Sequence, residues 1–158
     1  MLTRSAMLAS NSGKWPRTYE YPFAADDFIT TWSNLLSHFA IDSANKRIRS
    51  TYNYNVHSRT ALGYLQITTP SFPLKLTFRG YTSSESCCDK GYLYASSSAN
   101  TTSGTLVYSG SGQSSIQTAT ATLSANTTYY LNFRYSKDSS VHRNDDRFYI
   151  YSLTFERA

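Results

Sequence analysis

The chain of 158 residues is 40% hydrophobic and 16% charged, enough for one ordinary core and too short for two. Aromatics reach 15%, with 14 Tyr, 8 Phe and 2 Trp beside few strong helix formers, a balance that belongs to an all-β protein. The net charge of +5 is scattered rather than gathered into a stripe, and no apolar run approaches the ~18 residues of a membrane helix, so neither nucleic acid nor membrane is an expected partner.

Residues 1–22 have no periodicity and mix Ser, Asn, Gly, Lys and Pro with Trp15, Tyr19 and Tyr21. Met1 to Ser12 lack the uninterrupted apolar core of a Sec signal, so none is expected. The stretch reads as an extended arm before a domain at 23–158, with Trp15, Tyr19 and Tyr21 as docking residues. An N-terminal strand pairing inside the domain is the open alternative. From Asp26, the residues Phe28, Trp32, Leu35, Leu36 and Phe39 fall at helical spacing and predict one short helix capped by Asp26 and Asp27. Thr30, Thr31, Ser33, Asn34 and Ser37 oppose it.

Thereafter the pattern alternates with period two. Ile48, Ser50, Tyr52, Tyr54 and Val56 oppose Arg47, Arg49, Thr51, Asn53 and Asn55, and Leu74, Leu76 and Phe78 oppose Lys75, Thr77 and Arg79. Further segments follow at Leu62 to Thr68, Tyr92 to Ala95, Thr105 to Tyr108, Thr118 to Leu123, Tyr129 to Tyr135 and Phe148 to Phe155. Turn signals such as Thr69-Pro70, Asp89-Lys90-Gly91, Ser109-Gly110-Ser111-Gly112 and Asn144-Asp145 separate them. About eight short strands in this length predict a two-sheet antiparallel β-sandwich, of jelly-roll or immunoglobulin-like type. Its core is expected from Ile48, Leu65, Ile67, Leu74, Leu76, Phe78, Leu93, Leu123, Leu131, Phe133, Ile150 and Leu153. Adjacent Cys87 and Cys88 cannot staple a loop and lack zinc-site spacing. They read as structural thiols at a turn, with a vicinal disulfide or an intermolecular bridge as alternatives.

Two stretches carry a family resemblance. Tyr81-Thr82-Ser83-Ser84-Glu85-Ser86-Cys87-Cys88-Asp89-Lys90-Gly91-Tyr92-Leu93-Tyr94 resembles the SSES-x-YD-x-L-x-F/Y strand and turn of bacterial and phage-borne jelly-roll sandwich domains. Tyr135-Ser136-Lys137-Asp138-Ser139-Ser140-Val141, with Asp145, Asp146 and Tyr149 to Phe155, is similar to their Y-x-KD-x-S-V ending. Cys88 stands where those domains usually have Tyr, and Asn144 where they often have Gly. The resemblance covers residues 45–156 and implies a jelly roll of the kind found in virion and cell-surface proteins, without shared chemistry.

Half the carboxylates lie in these stretches, and Glu85, Asp89, Asp138, Asp145 and Asp146 are the candidate ligands for a hard cation such as Ca2+; no other cofactor is expected. Turn chemistry and pairing with Lys90, Lys137, Arg143 and Arg147 is the competing explanation. Tyr92, Tyr94 and Tyr130 fall opposite the apolar strand faces and suit a sugar ring or a protein surface, or else support the sheet as cross-strand pairs. Catalysis lacks a signature: His38, His57 and His142 are far apart in the chain, and there is no G-x-S-x-G, H-E-x-x-H or phosphate loop. A non-enzymatic phage virion protein is therefore the leading expectation, as a capsid decoration or tail-fibre component. It would be made in a host cytoplasm and assemble with other virion proteins and further copies of itself, with a host-surface glycan as a further ligand. The alternative is a carbohydrate-binding or adhesin module of a bacterial surface protein, located outside the cell.

Overall fold

Each period-two segment forms a strand in the computed structural model, which describes residues 14–158. Ten strands are present: β1 (Arg17–Glu20), β2 (Phe39–Asp42), β3 (Arg47–Ser50), β4 (Thr60–Thr68), β5 (Leu74–Ser83), β6 (Lys90–Ser96), β7 (Thr105–Gly110), β8 (Gln117–Leu123), β9 (Thr128–Ser136) and β10 (Arg147–Arg157). One sheet runs β2-β3-β10-β5-β8, with β1 also on β10, and the other runs β4-β9-β6-β7. The pairs are antiparallel. From β3 onward every connection except the β6–β7 hairpin carries the chain to the opposite sheet, and β10 returns to lie between β3 and β5. That wrapping is a jelly roll.

The twelve expected core residues are all buried, as alternation requires when each sheet turns one face inward. Phe78, Phe133 and Phe148 meet between the sheets, with Phe148 6.1 and 6.4 Å from the other two ring centres.

Three expectations need correction. No helix follows Asp26 among the described residues. Asp26 Oδ1 accepts the N–H groups of Phe28 and Ile29, as a helix cap would, but the chain then extends and makes only a turn at 33–38. Phe28, Trp32, Leu35 and Phe39 are buried anyway, Phe28 and Trp32 against Tyr19, Phe23 and Phe155 and Phe39 against Phe148, so helical spacing here reflects packing without a helical backbone.

The strand expected to run through Val56 stops at Ser50, and Tyr52, Tyr54 and Val56 are exposed. The fully buried Asn53 ends it: its amide donates to the carbonyls of Arg59 and Tyr135, pulling the chain into turns.

The part of the arm that is described, from Lys14 onward, is built into the sandwich; residues 1–13 of the proposed arm lie outside the described residues. β1 pairs with β10 from Arg17↔Phe155 to Glu20↔Ser152. Tyr19 is buried and donates to Asp26 Oδ2, while Trp15 packs edge-on to Phe28 and Phe72. The intramolecular strand is thus the arrangement adopted by this segment.

Candidate functional site

Two regions gather the sequence-predicted residues. The first is the end of the sandwich where the β5–β6 and β9–β10 loops meet. Pairing of Lys90 with Ser136 sets the loops side by side, and Asp89 Oδ1 accepts the Asp138 N–H at 2.9 Å. Ser84 Oγ donates to the Asp89 carbonyl, and Asn144 Nδ2 donates to the Ser84 carbonyl, each at 2.7 Å. Beneath them Asp146 accepts Tyr135 O–H at 2.6 Å, Asn55 N–H at 2.7 Å, and the buried Lys137 ammonium. Burial first and the Asp146 bond second push the Tyr135 phenol far above its ordinary value.

Carboxylate oxygens of Glu85, Asp89 and Asp138 lie within 4.8 Å of one another. Asp89 is fully buried, and its Oδ2 has no hydrogen-bond partner. Burial raises the Asp89 carboxyl above the usual carboxylate range, with the Asp138 N–H bond pulling against it. The Ser140 N–H and hydroxyl hold Asp138 below that range. The other two proposed ligands go elsewhere. Asp145 accepts Tyr149 O–H at 2.9 Å, and Asp146 is committed to Tyr135 and Lys137. Asn144 and Asp146 have φ of 57° and 54°, so the chain reverses sharply here and turns neighbouring carboxylates in different directions. Cys87 and Cys88, beside this cluster, are joined to each other by a disulfide, one of the two alternatives to free thiols.

The second region is the outer face of the β4-β9-β6-β7 sheet. Inner positions alternate with Leu62, Tyr64 and Gln66 on β4, Tyr130, Asn132 and Arg134 on β9, and Tyr92 and Tyr94 on β6. Register puts Tyr64, Asn132, Tyr94 and Leu106 in one row across the sheet, and Leu62, Arg134 and Tyr92 in the next. Tyr92 stacks on Tyr94 with centroids 5.9 Å apart, and Tyr64 meets Tyr130 edge-on at 5.6 Å. The β6–β7 connection folds back onto buried Asn132, which takes the Asn100 N–H and donates to the carbonyls of Ser98 and Thr101. That contact separates the tyrosines into two pairs. None of their four hydroxyls is engaged by another described residue, and Leu106 is 48% exposed beside them. Tyr64 escaped the sequence reading although the same alternation along Leu62 to Thr68 places it outward.

Of the proposed docking residues, Trp15 and Tyr19 are used internally. Tyr21 is 37% exposed and lines a surface cavity of about 410 Å3 with Glu20, Lys46, Arg79, Tyr151 and Ser152. The histidines have structural surroundings. His38 stacks on Tyr52 and accepts the Leu62 N–H at Nδ1, whereas His57 stacks on His142, whose Nδ1 is 2.7 Å from the Lys137 ammonium.

The sequence matches no family model and no curated protein. Among solved structures, the chain is similar to the K1 cleaved adhesin domain of Lys-gingipain from Porphyromonas gingivalis W83. The two share 16% identity over 95% of this chain and 88% of that one, with a TM-score of 0.48. The K3 cleaved adhesin domain of the same protein is similar at 14% identity, over 71% of this chain and 74% of its own, with a TM-score of 0.43. Likeness at this level concerns architecture and assigns neither ligand nor activity.

Proposed function

We propose that this chain is a non-catalytic, carbohydrate-binding module of adhesin type that acts outside the cell, through the outer face of its four-stranded sheet. The observation that carries the reading is the set of four outward tyrosines, Tyr64, Tyr92, Tyr94 and Tyr130, with Leu62, Leu106 and Arg134 in register among them. Aromatic faces offer apolar surface to the C–H faces of pyranose rings, and the phenol and guanidinium groups offer hydrogen bonds to ring hydroxyls. The pairs Tyr92 with Tyr94 and Tyr64 with Tyr130 lie on either side of the covered Asn132, so each offers a stacking surface of its own. A sheet face also presents these side chains on a rigid support, so little is lost in ordering them on binding. The virion reading, the leading expectation from sequence, loses the aromatic arm as a docking element, since Trp15 packs on Phe28 and Phe72 and Tyr19 is buried.

Isothermal titration against a panel of oligosaccharides, with Tyr92→Ala/Tyr94→Ala and Tyr64→Ala/Tyr130→Ala beside the parent chain, tests the reading. Binding to at least one saccharide class is expected, weakened tenfold or more in one double variant with little change in melting temperature. Binding unaltered in both double variants would refute it, as would failure to bind any member of a broad panel.

A further inference from the structure

We propose that Glu85, Asp89 and Asp138 form a binding site for one divalent hard cation, Ca2+ by its chemistry, that ties the β5–β6 loop to the β9–β10 loop. The inference is independent of the saccharide reading, since the cluster lies on loops at the sandwich end and the tyrosines on a sheet face.

A group of carboxylates by itself is ordinary surface chemistry. This one is short of protons to share. Asp89 Oδ1 takes the Asp138 N–H, and Oδ2 is buried with no donor at all. Buried polar atoms are almost always satisfied, so an orphaned carboxylate oxygen beside two further carboxylates points to a missing positive partner. Ser140 Oγ stands 3.2 Å from Glu85 Oε2 and 2.9 and 3.0 Å from the two Asp138 oxygens. A hydroxyl has one proton, so it serves one of these oxygens at a time, and the Ser140 N–H supplies a second donor to Asp138 Oδ1 alone. The Lys137 ammonium, whose charge acts on Asp89, is committed to Asp146. The disulfide removes the Cys87 and Cys88 thiolates from the available ligands, leaving oxygen donors only.

A calcium ion holds its oxygens at about 2.4 Å, so any two ligand atoms are at most about 5 Å apart. The three carboxylates meet that condition, all within 4.8 Å. Glu85 and Asp138 are only half-buried, which leaves the outer side of the site open to waters or a ligand oxygen. Calcium tolerates such a mixed, flexible shell.

The full chain, stripped with chelator and checked metal-free by elemental analysis, is titrated with CaCl2 by calorimetry, and its melting temperature is followed with and without Ca2+. One ion per chain and a rise in melting temperature are expected. Asp138→Asn and Glu85→Gln should each weaken binding tenfold or more and shrink the thermal shift. Both residues are partly exposed, so these variants report even if Asp89→Asn fails to fold. No heat and no thermal shift with Ca2+ raised to the order of 10 mM, above the range of weak extracellular modules, would overturn the proposal. So would Ca2+ binding that all three variants retain.

Discussion

Replacing Lys137 by Met keeps the length and apolar stem of the side chain and removes its charge. The Lys137 side chain is fully buried and that of Asp146 is 2% exposed, so the variant leaves a carboxylate inside the protein without its ammonium. Breaking a buried pair from one side costs about 3 to 5 kcal/mol. Asp146 would keep Tyr135 O–H and Asn55 N–H, which places the expected loss at the lower end, about 3 kcal/mol. For a chain of this size that corresponds to a melting temperature lower by roughly 6 to 12 °C. Removing both charges in Lys137→Met/Asp146→Asn should recover part of the loss, because no unpaired charge remains. Urea denaturation of the parent, both single variants and the double variant at pH 7 gives the four corners of a cycle, with coupling read from the midpoints at unchanged slope. A Lys137→Met variant within about 0.5 kcal/mol of the parent would refute the argument, since it would mean that water or the His142 imidazole, 3.4 Å from Asp146, compensates the carboxylate.

Phe133→Ala should cost about 3 to 5 kcal/mol through lost burial and a residual cavity, measured in the same denaturation assay, because the ring is fully buried between the sheets. Tyr19→Ala should cost a comparable 2 to 4 kcal/mol, roughly, since it empties the contact among Phe28, Trp32 and Phe155 and leaves Asp26 without its phenol donor; an unchanged melt would return β1 to the status of a free arm. Burial, and next the charge of Arg59, lower the His38 pKa from its ordinary 6.5, and protonation at Nδ1 would break the Leu62 N–H bond. The unfolded chain therefore takes up this proton at higher pH than the folded one, so His38 contributes stability fully above about pH 6.5 and loses it as pH falls through the window down to its folded value. His38→Asn keeps an acceptor without titrating, and stability measured from pH 7.5 to 5, roughly, should fall less steeply in that variant than in the parent.

What the sequence by itself determined is what local periodicity encodes. Alternation names the inward face of a strand whatever that strand pairs with, which is why Leu74, Leu93, Phe133 and Ile150 were legible as core and Tyr92, Tyr94 and Tyr130 as outward. Spacing fails where burial does not come from a regular element. Phe28, Trp32 and Leu35 are inside, yet Asp26 caps a turn and no helix follows, because contacts with Tyr19, Phe23 and Phe155 outweigh the weak helix preference of the intervening Thr and Ser residues. Pairing partners were decided only in the tertiary structure. Four residues at Arg17–Glu20 carry no record of a partner at Ser152 to Phe155, more than 130 positions away, since β pairing draws its energy from whichever edge is open and complementary. The carboxylates show the same division. Composition could name five candidates, but only the β6–β9 register brings Asp89 to Asp138, and only the reversals at Asn144 and Asp146 send Asp145 and Asp146 to other partners. A side chain's face is set by its immediate neighbours in the chain, whereas the groups it meets are set by non-local packing of the whole sandwich.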